Sequence, residues 1–130
     1  MGDRVSIQFQ KKGVYFGSSD DEVVKSLVLF NHWGGREFPL MAIDYIKELR
    51  NEIANPTKEL PYLANGPLGR LEPQTVLVDF IRYITKDLHR SDSSLYLGKD
   101  EHEGDNSDNG HFLIDLDLTD EELLRSIAER

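Results

Sequence analysis

The chain has 130 residues, a formal net charge of −9 and no cysteine. That length suits one domain whose core holds without metal or disulfide, and the missing thiols exclude a disulfide-stapled scaffold and thiolate zinc sites. The acidic balance repels nucleic acid phosphates; Lys11-Lys12 and Lys47/Arg50 stand isolated among acidic neighbours, so no nucleic acid partner is expected.

No apolar run approaches the roughly 20 residues that span a bilayer, and the N-terminus lacks the basic and apolar regions of a signal peptide. The expectation is a cytoplasmic protein with no membrane partner. "MGDRVS" fits the loose pattern M-G-x-x-x-[ST] of myristoylation, but the residues from Arg4 onward read as a strand and the match is taken as coincidence.

In chain order, Val5, Ile7 and Phe9 alternate with Arg4, Ser6 and Gln8, the period of a half-buried strand. "QKKG" turns the chain, "VYF" extends a second arm, and "GSSDDE" is a polar loop. Lys25 to Phe30 follows, with Leu27 to Phe30 continuously apolar, as in a central strand. The two strands pair most simply antiparallel. A helix then begins near Pro39, whose missing N–H is harmless in a first turn. Ala42, Ile46, Leu49 and Ile53 form its apolar stripe, and Asn55-Pro56 ends it. The long Pro- and Gly-rich connection that follows is pinned by Tyr62 and Leu63. A second helix runs from about Glu72 to His89 on a stripe of Leu77, Phe80, Ile81, Ile84 and Leu88. "SLYLG" is a short strand, and residues 100–109 form an acidic loop. His111 to Leu118 alternates again, with Phe112, Ile114, Leu116 and Leu118 on one side. Thr119 and Glu122 make a capping box for a last helix, with Leu118 and Leu123 as its hydrophobic staple. Leu123, Leu124 and Ile127 must pack on something, because a helix this short is marginal alone.

The order is ββααββα. We expect one α+β domain over residues 1–130, with about four mostly antiparallel strands, two longer helices on one face and a short C-terminal helix. The acidic loop reads as a mobile, solvated hairpin connection that a two-residue Asn-Gly turn could replace. From Asp105 it offers calcium-type oxygen ligands at Asp105, Ser107 and Asn109, but Leu116 stands where the bidentate Glu belongs and a strand follows instead of a helix.

The four histidines show no H-x-x-x-H spacing. A metal site is not expected; the one arrangement weighed is His32, His111 and Asp115 meeting in space. There is no Cys, no G-x-S-x-G and no S-x-x-K, and "GGRE" lacks the Lys and spacing of a phosphate loop. No cofactor is expected. The stretch "FNHWGGREFP" remains. Gly34 and Gly35 let the backbone bend or approach closely, helix-start N–H groups beside Arg36 suit an anion, Trp33 offers a flat wall and His32 an acid or base. Against this stands a plain corner in which Trp33 plugs the core, and that structural role is the favoured expectation.

Gly2, Asp3 and Arg4, then His32, Trp33, Gly34 and Gly35 after a strand, then His111, Asp115 and Asp117 in a late strand carry a resemblance. In these islands the chain resembles a group of small uncharacterised bacterial and phage proteins that share G-D-R, H-W-G-G and a late H-x-x-x-D-x-D strand. The resemblance implies no activity, but it implies that the three islands lie together. The leading expectation is a non-enzymatic module that binds a protein partner through His32–Glu37, with Trp33, Gly34, Gly35 and Glu37 as contact residues, and through an acidic surface. The alternative is a small hydrolase or transferase with His32 as acid or base and Arg36 or Arg4 as anion anchor. Convergence of His32, His111, Arg4 and Arg36 on one open cavity separates the two.

Overall fold

The structure is a computed structural model that describes residues 2–12, 22–55, 57, 63–89 and 94–128. The arm expected at residues 14–16 and the anchor Tyr62 lie outside the described residues. The architecture is α+β. Strand β1 (Val5–Lys12) is central: β2 (Val23–Lys25) and β3 (Val28–Asn31) pair with it antiparallel, and β4 (Leu95–Gly98) pairs antiparallel with β3. Strand β5 (His111–Asp115) pairs with the other side of β1, parallel to it. The lateral order is therefore β5-β1-β3-β4, with β2 continuing the line of β3.

β2 and β3 are one strand broken by a bulge. Between the pairs Ile7↔Leu29 and Gln10↔Lys25, two β1 residues (Gln8, Phe9) face three (Ser26, Leu27, Val28), the signature of one inserted residue. Side chains meet the displaced backbone groups: the Ser26 hydroxyl accepts the Phe9 N–H at 3.0 Å, Gln74 accepts the Leu27 N–H at 3.1 Å, and Gln8 donates to the Ser26 carbonyl at 2.8 Å. The expected continuous strand from Lys25 to Phe30 is thus kinked in its middle.

Alternation on β1 sends Val5, Ile7 and Phe9 to one face, where α1 (Glu37–Ala54) and α2 (Pro73–Thr85) cover them. Phe38, Ile43, Ile46, Val76 and Phe80 complete this core, all at most 1% exposed. Each such side chain contributes roughly 1.5–3 kcal/mol by leaving water. α2 is shorter than its periodicity implied. It ends at Thr85, and Leu88 is 47% exposed.

The C-terminal helix α3 (Asp120–Ala128) forms the expected capping box, with Thr119 N–H to Glu122 Oε1 at 3.1 Å and Glu122 N–H to Thr119 Oγ1 at 3.2 Å. Leu123 and Ile127 are buried in the chain's own core, as expected, whereas Leu124 faces outward. β5 stops at Asp115 instead of Leu118, because the Asp115 carboxylate accepts the Asp117 N–H at 2.9 Å and turns the chain away. Arg50 of α1 clamps that turn, donating to the carbonyls of Leu116 and Leu118 and pairing with Asp120 at 2.7 Å.

The acidic loop departs most from expectation. Because β4 and β5 lie at opposite edges, residues 99–110 are no hairpin; they cross the sheet face away from the helices. Three strand spacings of roughly 4.8 Å separate its ends, a gap that an Asn-Gly turn cannot bridge. The loop is also tied down. Asn106 donates to Ser6 Oγ and the Glu101 carbonyl, Asn109 donates to Asp3 and the Arg4 carbonyl, and Arg4 pairs with Asp105 and Asp108. A Cβ on Gly104 would sit 2.7 Å from the Tyr96 ring and 2.8 Å from the Phe30 ring, so the glycine serves packing and not mobility.

Candidate functional site

The corner after β3 is built from backbone outward. Asp3 N–H donates to the His32 carbonyl at 2.8 Å, and Gly35 N–H donates to the Asp3 carbonyl at 2.9 Å, so the chain start is laced into the turn. Gly35 has φ +64, a left-handed value, and a Cβ there would lie 2.7 Å from Asp3 Oδ2. A Cβ on Gly34 would lie 2.8 Å from Val5 Cγ1. The glycines therefore seat the turn directly on β1 and on the Asp3 carboxylate.

That close approach corrects the expectation for Trp33. With Gly34 backbone already against Val5, no space is left beneath the turn for an indole, and Phe38 in the first turn of α1 takes the core position. Trp33 is 62% exposed, with His32 edge-on to its ring at 4.8 Å. Asn31 fixes the backbone beneath it, accepting the Trp33 N–H at 3.1 Å and the Ser94 hydroxyl at 2.6 Å. Nothing in the spacing of the sequence singled out Asn31.

The proposed anion anchors are engaged elsewhere. The Arg4 guanidinium lies 3.1 Å from Asp105 and 3.3 Å from Asp108. The Ser107 hydroxyl and N–H, and then Arg4, hold the Asp105 carboxyl below its ordinary range. Arg36 lies over the Phe112 ring at 5.7 Å. None of His32, Arg4 and Arg36 lines any of the three main clefts of the described residues. His32, His111 and Asp115 are not gathered either. His111 opens β5 opposite Ser6, Asp115 ends it opposite Gln10, and no group of three His, Asp or Glu among the described residues is placed to hold a metal. Along and beside β1, Asp3 bonds to the corner, His111 to Ser6, and Asp117 to Lys11 and Lys12.

Two clefts matter for function. The larger, about 650 Å³, is polar and opens between the bulge and the crossing loop, with Gln8, Lys25, Gln74, Lys99, Glu101 and His111 on its walls. At its floor the Ser6 hydroxyl lies 2.7 Å from His111 Nδ1, and His111 Nε2 lies 3.2 Å from Gln8 Oε1 and 3.8 Å from Glu101. This superficially resembles a nucleophile with its base. Yet Ser6 is fully buried behind the imidazole, and its oxygen already accepts a bond from Asn106 at 2.9 Å. The network is a satisfied strut between sheet and loop.

The second cleft, about 340 Å³, lies beside the corner, walled by Trp33, Glu37, Met41, Ile84, Leu88 and Leu95. Met41 is 40% exposed and Leu88 47%. Sequence reasoning chose Trp33 and Glu37 but assigned Leu88 to the core stripe of the second helix; Ile84, assigned to the same stripe, does pack against the core while also lining the cleft. The missed signal was the position of the helix end: beyond Thr85 the stripe no longer faces the sheet. Comparison with protein-family models, curated proteins and solved structures finds no match for this chain.

Proposed function

We propose that the chain is a non-enzymatic protein-binding module whose docking surface is the groove at the corner, with Trp33 as its anchor and Glu37 as its charged rim. One observation carries this reading. The only tryptophan stands 62% exposed over an apolar groove, on a turn held rigidly by Asp3, Asn31 and two packed glycines. Large aromatics in preformed pockets are the usual anchors of protein interfaces, and exposed apolar clusters on otherwise polar surfaces mark such sites. The commitment of Arg4 to two carboxylates, and the place of His111 in the other cleft, weigh against the hydrolase or transferase alternative. Among the described residues no helix is long and apolar enough to cross a membrane; the cytoplasmic setting expected from the sequence stays part of the proposal.

The test is comparative co-purification from the native host with the parent chain, Trp33→Glu, Met41→Glu and Val78→Glu. Val78 is 67% exposed on α2 and does not line the groove, so it is the control. The expected outcome is a protein retained by parent and Val78→Glu and lost with both groove variants at unchanged melting temperature. Retention by all four, or loss with Val78→Glu as well, overturns the groove as the docking surface.

A further inference from the structure

β4 forms one edge of the sheet, and the register fixes which of its backbone groups face outward. His32 N–H donates to the Ser94 carbonyl at 3.2 Å, just outside the paired residues Asn31↔Leu95, Phe30↔Tyr96, Leu29↔Leu97 and Val28↔Gly98. In an antiparallel ladder, hydrogen-bonded and non-bonded pairs alternate. Ser94, Tyr96 and Gly98 therefore turn their N–H and C=O groups toward β3, and Leu95 and Leu97 turn theirs away. Among the described residues β4 pairs only with β3.

The same two residues place their side chains on the helix face, since they pair with Asn31 and Leu29 on the side of Val5 and Ile7. Leu95 is a wall of the Trp33 groove, and Leu97 is 50% exposed. Outward hydrogen-bonding groups and an apolar groove thus lie side by side on one short strand. β4 carries no proline, bulge or charged side chain, the usual protections of an edge. The one charged wall of the groove is Glu37.

Resting on the reading of the groove given above, we propose that the partner binds by strand addition: an extended segment pairs antiparallel with Leu95–Leu97 and drops alternate apolar side chains into the groove, with a basic residue near Glu37. The backbone valences of the edge call for a strand, and a helix laid in the groove would leave them open. The net charge of −9 favours a basic segment over a second copy of this chain. In antiparallel pairing, the partner residues opposite Leu95 and Leu97 send their own N–H groups to β4 and their side chains to the same face. The intervening residues point their N–H groups to solvent.

This asymmetry makes the test. The probes are blocked peptides of the form acetyl-Lys-Leu-Thr-Leu-Thr-Leu-Lys-amide, with Val or Phe in place of Leu as further members, titrated against the parent chain by Trp33 fluorescence. Binding with a blue shift is expected. N-methylation of the central apolar residue should weaken it about tenfold, the loss of one hydrogen bond, and N-methylation of a Thr should not. Leu97→Pro, which removes only an outward N–H and is tolerated at an edge, should weaken binding while the chain melts as before. Binding indifferent to the site of N-methylation overturns strand addition and leaves the groove standing. Absence of binding by the whole set also overturns strand addition, and the groove is then judged by co-purification alone. A dimer of the chain itself that Leu97→Pro makes monomeric identifies a second copy as the occupant and overturns the peptide partner.

Discussion

The crossing loop at residues 99–110 and the corner at residues 32–36 look alike on paper. Both are polar, both contain glycine, and both join a strand to the next element. The loop ties itself down with its own side chains: Asn106, Asn109, Asp105 and Asp108 all bond to the chain's own atoms, and Gly104 lies on two aromatic rings. The corner is laced by backbone bonds as well, yet it holds the largest side chain of the molecule out in water. Polarity and glycine therefore say little about mobility, and size and apolarity say little about burial. What separates the two regions is whether the space beneath the chain is already filled.

The largest expected effect tests the claim that the loop is structural. Phe30 lies on the sheet face that the loop covers, fully buried, stacked on Tyr96 at 4.9 Å with Gly104 against it. Phe30→Ala should lower stability by about 3–5 kcal/mol in denaturant melts. Replacing residues 99–110 by Asn-Gly should abolish cooperative melting altogether. A shortened chain that melted cooperatively would show that the loop is decoration after all.

Next comes the corner itself. Gly35→Ala places a Cβ in a left-handed residue and against Asp3, and should cost about 1–3 kcal/mol. If the cost were negligible, the corner would be pliable and Trp33 free to bury itself on binding. A rigid corner is what an anchor needs.

These cases show which parts of the molecule were legible in the sequence. Period and capping are local, so β1, both long helices and the Thr119–Glu122 box could be read directly. Strand order was not readable, because the pairing of His111 with Ser6 across more than a hundred residues leaves no periodic trace. That one unreadable contact turned an apparent hairpin loop into a cover for the sheet. Trp33 misled for a similar reason. Flanked by Phe30 and Phe38, it reads as core, and only the approach of Gly34 to Val5 shows that the core closes without it. Ser26 and Gln74 likewise acquired roles only through a bulge that one inserted residue creates.

A smaller effect concerns the end of β1 far from the corner. Burial works against the Asp117 charge, but bonds from the Lys11 ammonium and the Lys12 N–H outweigh it, and the Asp117 carboxyl is held below its ordinary range. A depressed folded pKa adds stability above the unfolded value near 3.8 and loses it as pH falls through the folded value. Asp117→Asn should therefore cost about 0.5–1 kcal/mol near neutral pH, discounted for a partly exposed pair. The gap to the parent should close as pH falls below the ordinary carboxylate range and through the depressed folded value. A gap that persisted in acid would mean that packing, not charge, is what Asp117 supplies.

The smallest expected effect on stability is the one that most sharpens the contrast between the two regions. Trp33 is the only tryptophan, so intrinsic fluorescence reports on it alone. A residue 62% exposed, touching His32 edge-on and the groove rim, has little buried area to lose. Trp33→Ala should change stability by less than about 0.5 kcal/mol, where a core tryptophan would cost about 3–5 kcal/mol. The parent's emission should sit at the wavelength of a hydrated indole and be quenched readily by iodide or acrylamide. Phe30→Ala and Trp33→Ala, three residues apart, would then differ several-fold in cost, one closing the sheet face and the other facing a partner. Equal costs for the two substitutions would place Trp33 back in the core in solution and remove the anchor on which the proposed docking surface rests.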